Sequence, residues 1–173
     1  MITKSRTIAI AAALSFLTVF AAAAKAQTKA FDFSLRAIDG EPVTAESLRG
    51  EVAVLAFGAS WLPLSRNQLE GVKKLADDYS GRGVAVYWVS TDSESAKSKN
   101  YASDDQLRAL ARKYKVTVLR DPDGAVSKKL GVDQIPSIVI LDKQGNVAGG
   151  PIGGLDPTTS LATQLSARLD KIL

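Results

Sequence analysis

Two nearly continuous apolar runs stand out along the chain. Residues 51–57 (Glu-Val-Ala-Val-Leu-Ala-Phe) and 83–90 (Gly-Val-Ala-Val-Tyr-Trp-Val-Ser) are rich in β-branched side chains and lack the alternation of a one-sided strand. Both are therefore predicted as buried strands, and the first as a central strand covered on both faces. Alternation in Phe31-Asp32-Phe33-Ser34-Leu35 predicts a half-buried strand ahead of an Asp39-Gly40 turn. Residues 116–119 read as a short strand, and residues 137–142 and 147–152 as a hairpin around Lys143-Gln144-Gly145-Asn146.

Between the strands the period changes to that of a helix. Leu69, Val72, Leu75, Ala76 and Tyr79 recur on one stripe that begins after Pro63, a residue suited to a first turn, and stops near Gly81 and Gly83. Ser103-Asp104-Asp105-Gln106 has the form of a capping box, opening a helix with Leu107, Leu110, Ala111 and Tyr114 inward. Residues 121–124 predict a turn, 125–130 a short helix, and Asp156-Pro157 the cap of a last helix carrying Leu161, Leu165, Leu169 and Ile172. The polar stretch 91–102 reads as an exposed insertion. This order of elements predicts an α/β domain whose central mixed sheet is parallel in its middle and flanked by helices.

The first residues change the picture of where the protein works. Lys4 and Arg6 precede an apolar stretch over residues 8–24, and Ala24-Lys25-Ala26 supplies the small residues a signal peptidase needs, so residues 1–26 read as a signal cleaved before Gln27. The competing reading is a retained membrane anchor, since the apolar stretch is near the lower limit for crossing a bilayer. Either implies export, to the bacterial periplasm or the exterior. Residues 27–173 are then one domain, too short for two well-formed cores. The formal charge of +4 depends on the leader, because without Lys4, Arg6 and Lys25 the basic side chains nearly balance the 18 acidic ones. Nothing in that balance supports nucleic-acid binding.

The sequence contains neither cysteine nor histidine. No thiolate, imidazole base, zinc site of the usual kind or histidine-bound haem can be built from it. Asp121-x-Asp123-Gly124 lacks the later ligands of a calcium loop and reads as a turn. No metal and no cofactor are expected.

The string Phe57-Gly58-Ala59-Ser60-Trp61-Leu62-Pro63-Leu64-Ser65-Arg66 resembles the Phe-x-Ala-x-Trp-Cys-Pro-x-Cys-Arg motif of thioredoxin-like proteins, with Leu62 and Ser65 at the two cysteine positions. Further on, the segment from Val132 through Ile135-Pro136-Ser137 to Asp142-Lys143-Gln144-Gly145 is similar to the stretch of that family that holds its cis-proline and hairpin. With the leader, the insertion and Asp121-Pro122-Asp123-Gly124, the resemblance is to the exported TlpA/ResA-like branch, related to the AhpC/TSA peroxiredoxins. It implies a thioredoxin fold with an N-terminal β extension over nearly all of the mature chain.

The resemblance also implies what has been lost. Relatives hold a reactive thiolate at a helix N-terminus and resolve it with a second cysteine. Leu62 cannot ionise, Ser65 cannot form a disulfide, and Ala56 stands where thioredoxin has a buried acid. A peroxidatic cysteine aligned to this helix would fall on or near Ser65, again without sulfur. A hydrolytic Ser65 would need a lysine base, and Lys73 and Lys74 lie two turns or more away. Asp92 reads as an ordinary loop carboxylate and Arg66 as a solvated charge.

Recognition can outlast these losses. Trp61, Leu62, Pro63, Ile135 and Pro136 are expected to form one surface where relatives pair backbone with an extended substrate, so the expected partner is a polypeptide or protein of the cell envelope. A packing role for Trp61 and Pro136 is the other reading. The functional alternative is an oxidoreductase or peroxiredoxin-type protein whose chemistry depends on a partner's thiols. The membrane enters only if the leader is retained.

Overall fold

In the computed structural model, which describes residues 31–156 and 158–173, the two apolar runs are neighbouring parallel strands. These are β3 (Val52–Gly58) and β4 (Val84–Ser90). On its other edge β3 pairs antiparallel with β6 (Ser137–Leu141), so it is hydrogen-bonded on both sides, and all of its residues are buried. The remaining strands are β1 (Ser34–Ala37), β2 (Val43–Thr44), β5 (Val118–Arg120) and β7 (Ile152–Gly153), giving the order β2-β1-β5-β4-β3-β6-β7. The β1–β2 pair is the expected N-terminal extension, and it joins the sheet through β5.

Alternation along β3 divides the core. Val52, Val54 and Ala56 face α1 (Pro63–Asp78), α2 (Asp104–Tyr114) and α4 (Leu161–Ile172), where they meet Leu69, Val72, Leu107 and Leu165. Ala53, Leu55 and Phe57 face the opposite layer, built from α3 (Ala125–Lys129) and the N-terminal segment with Phe33 and Leu48. Two covered faces account for the strand's lack of polar side chains. Where α1 crosses α4, a Cβ at Gly71 would stand 2.6 Å from Leu161 Cγ, so only glycine permits this approach without movement.

Several expected boundaries move. The first strand begins at Ser34, opposite Thr44, while Phe33 packs into the core just ahead of it and its carbonyl accepts the Ala45 amide at 3.0 Å. The return arm of the hairpin touches its partner at Val147, then leaves it until Ile152, because Gly149, Gly150 and Pro151 interrupt the ladder. The last helix is capped by Ser160, whose Oγ accepts the Thr163 amide at 3.1 Å, and not by Asp156. Asp156 instead folds the preceding turn by accepting from the amide and hydroxyl of Thr158 and the hydroxyl of Thr159. The expected signal over residues 1–26, the polar leader after it and Pro157 lie outside the described residues.

The insertion is polar outside but fastened inside, since Asp92 and Ala102 are buried. Arg120, only 3% exposed, donates to the carbonyls of Asp92 and Ala102 and to the Asp104 carboxylate, drawing both ends of the segment onto the sheet. Arg36 grips the same carboxylate at 2.9 and 3.0 Å. Hydrogen bonds from Arg36 and Arg120 hold the Asp104 carboxyl at about 2, below its ordinary 3.8. This contribution to stability is present above about pH 4, where the unfolded carboxyl is ionised, and is lost as pH falls through about 2. Asp104→Asn should lower stability at neutral pH and flatten the acid limb of a denaturation profile between about pH 4 and about pH 2. An acid limb parallel to that of the parent would count against the clamp.

Candidate functional site

The chain leaves β3 at Gly58 and must turn at once, because α1 starts at Pro63 and packs back across the sheet. Pro63 suits this entry, having no amide proton to leave unpaired in the first helical turn. The turn is closed by the Leu62 amide donating to the Ala59 carbonyl at 3.1 Å, and its neighbour Thr91 donates from its amide to Gly58 O at 2.9 Å. Trp61 is left 51% exposed and Leu64 56% exposed, with Leu62 half-buried between them. Apolar side chains scattered singly on a surface are ordinary, and two together make only a small patch.

Leu62 occupies the N-cap position and makes no side-chain cap hydrogen bond, its carbonyl accepts the Ser65 amide at 3.1 Å, and it places no ionisable group at the start of α1. Ser65 neither caps the helix nor faces solvent. It is fully buried, and its hydroxyl oxygen accepts the Ala59 amide at 3.1 Å. Gln68, one turn on, is also buried; its side chain accepts from Trp88 Nε1 at 3.1 Å and donates to the Ser137 carbonyl at 3.2 Å. A Cβ at Gly58 would come within 2.8 Å of both Ser65 Oγ and Gln68 Oε1, so glycine makes room for this polar cluster beneath the turn. Ser65, Gln68, Leu69 and Val72 share one helical face, and that spacing already marks Ser65 and Gln68 as inward.

Asp92 is the residue that sequence reasoning undervalued. It is no ordinary loop carboxylate: with 0% exposure, it accepts from the Ser60 amide at 2.9 Å, the Ser60 hydroxyl at 3.0 Å and the Ser90 hydroxyl at 2.7 Å. The carboxylate thereby ties the turn after β3 to the end of β4. Its position just beyond the carboxyl end of a parallel strand, beside the turn that follows the neighbouring strand, is where sites of α/β sheets gather, and this was the available signal. Ala56 is buried in the middle of β3, paired across to Trp88 and Ile138, and supplies no proton acceptor.

The second segment lies beside α1, and the groove between them is lined by Leu64 and not by Trp61, Leu62 or Pro63. The Ile135–Pro136 peptide is cis, and Ile135 and Pro136 are half-buried beside α1, lining one groove with Leu64, Asn67 and Gln68. Among the described residues, the amides of Gln134 and Ile135 donate to no backbone carbonyl, which leaves two backbone donors open beside the proline. The lysines considered as bases for Ser65 are engaged elsewhere: Lys73 pairs with Asp77, and Lys74 with Asp78 at 2.8 Å. Arg66 is exposed. Among the described residues no group of three or more acidic side chains is arranged to hold a metal ion.

The arrangement contains no thiol, and comparison with known proteins sets that against its background. A model of the AhpC/TSA family matches residues 26–149. A curated relative, the thioredoxin-like protein YneN of Bacillus subtilis, is 28% identical over 124 residues, covering 70% of this chain and 68% of that protein. The thiol:disulfide interchange protein DsbE of Pseudomonas aeruginosa is 27% identical over 127 residues, covering 73% of this chain and 65% of its own length. Among solved structures, MTB DsbF in its mixed oxidized and reduced forms superposes with a TM-score of 0.63 at 26% identity, covering 82% of this chain and 95% of that one.

Asp92→Ala strips a charged acceptor from three buried or half-buried donors and should cost about 3 kcal/mol of stability. It should also loosen the turn that carries Trp61. Trp88 is 0% exposed, so quenching of native-state fluorescence by acrylamide reports chiefly on Trp61 and should change in the variant. Unchanged quenching and unchanged stability together would show that Asp92 does not hold the turn.

Proposed function

The chain belongs to the AhpC/TSA family, and we propose that within it the protein serves as an exported binding or scaffold protein that engages a polypeptide in the cell envelope and performs no thiol chemistry of its own. The observation that carries this reading is the mismatch at one site. Both cysteine positions are filled by Leu62 and Ser65, while the cis Ile135–Pro136 peptide, the exposed Trp61 and the α1 N-terminus remain in place around them. Ser65 is turned inward to satisfy a backbone amide, and Leu62 makes the outer surface more apolar than a cysteine would.

Backbone pairing beside a cis-proline needs no sulfur, and the free amides of Gln134 and Ile135 suit strand addition by an extended segment. Trp61 and Leu64 then cover that segment from the other side. Export rests on the leader read from residues 1–26, and the periplasm or the exterior is the place of action this reading assigns. The relatives named for thiol-disulfide exchange support ancestry in that chemistry, and an activity of that class in this chain would require sulfur from a partner.

Immobilised protein should capture a defined polypeptide from the native envelope fraction, and Trp61→Ala with Pro136→Ala should reduce that capture at least several-fold. Equal capture by the variant would place the contact elsewhere, and reduction of a disulfide substrate by the purified protein alone would sink the chemical argument.

Restoring the thiols tests the assigned register. Leu62→Cys with Ser65→Cys should give an intramolecular disulfide detectable as a pair of thiols released by reductant, because the two positions stand one turn apart at the start of α1. A double variant whose thiols stay free under oxidant would show that these are not the two cysteine positions.

A further inference from the structure

The proposed binding face contains more open space than backbone pairing alone would fill. Between α1 and the loop leading into α4 lies a groove of about 630 Å3, lined at one end by Leu64, Ile135 and Pro136 and continuing past Gly71 to Leu155 and Leu161. That volume is within the ordinary range of ligand-binding clefts. Gly71 lies in the groove wall where α1 approaches α4, and the space a Cβ there would need is held by Leu161.

The charges along the groove are unequal. Glu70, Lys74 and Asp156 line it, but Lys74 is already paired with Asp78 at 2.8 Å. Glu70 is exposed, and neither it nor Asp156 enters an ion pair among the described residues. Arg66, one helical turn before Glu70, neither pairs with it nor lines the groove. Hydrogen bonds from Thr158, and then from Thr159, hold the Asp156 carboxyl below the usual carboxylate range, so it remains charged. A groove of mixed polar and apolar lining therefore carries two carboxylates outside any ion pair among the described residues, its one lysine being paired with Asp78.

We propose that this groove receives the side chains of an extended polypeptide in which a large aliphatic residue is followed two positions later by lysine or arginine. The inference rests on the reading of this face as a polypeptide site and adds which polypeptides it selects. In an extended chain, alternate residues point to the same side, about 7 Å apart. The aliphatic side chain enters between Leu64, Ile135 and Leu155, and the cation lies toward Glu70 and Asp156. An acidic residue at the second position meets like charge.

Two blocked seven-residue peptides provide the test, each with leucine third and serine or glycine elsewhere, one with lysine fifth and the other with glutamate fifth. Titrated into the isotope-labelled full chain, the lysine peptide should shift the amides of Gly71, Leu155 and Ser160 and bind about three- to tenfold more tightly than the glutamate peptide, as expected for pairing with exposed carboxylates. Glu70→Lys should abolish or reverse the preference. Equal affinities, or a preference that Glu70→Lys leaves untouched, would overturn the groove assignment; shifts confined to Trp61 and Leu62, which do not line the groove, would do the same while leaving the face itself standing. No shift at either set of amides with either peptide would overturn both readings.

Discussion

Because β3 is hydrogen-bonded along both edges and covered on both faces, the chain leaving it at Gly58 has no route except over the end of the sheet. Everything assigned to function sits at that exit. The turn that follows must reverse direction within a few residues and deliver α1 onto the layer it shares with α4, and the groups that stabilise it come from other elements. Asp92 reaches in from the end of β4, Ser65 from the first turn of α1, and Gln68 crosses beneath to Ser137 on β6. Exposed Trp61 and Leu64 are thus carried on a short segment whose backbone is fixed from below.

The same arrangement explains how the fold persists without its thiols. A buried polar group is costly only if left unpaired. Ser65 accepts an amide, Gln68 both accepts and donates, and Asp92 is ringed by donors. The site is closed by ordinary hydrogen bonds and requires neither a disulfide nor a charged thiolate. Family membership and loss of the family's reactive atoms are compatible because the scaffold's stability resides in these contacts and in the two halves of the core.

The parts legible in the sequence were those written in periodicity and in local chemistry. Unbroken apolar runs marked the buried strands, the Ser103–Gln106 box was realised at 2.8 and 3.2 Å, and Pro63 opened α1 as expected. What escaped was decided by distant partners. Two-residue β2 carries no period, Ser160 displaced Asp156 as cap, and Asp92 looks like any loop carboxylate until Ser60 and Ser90 are seen around it. Ser65 and Gln68 were readable as inward from their spacing, yet their polarity drew attention outward. The groove past Gly71 depends on where α4 crosses α1, which no local pattern records.

The clamp on the insertion has a consequence for change over time. One guanidinium, that of Arg120, binds the carbonyls at both Asp92 and Ala102, so the two ends of the intervening segment are held in place whatever lies between them. The entropic cost of closing a loop grows only with the logarithm of its length. Residues between these anchors can therefore be exchanged, shortened or lengthened at small cost to the rest of the domain, while Asp92 keeps its hold on the turn. The segment is a natural cassette beside the turn that Asp92 holds, a place where the surface can be varied without rebuilding the core.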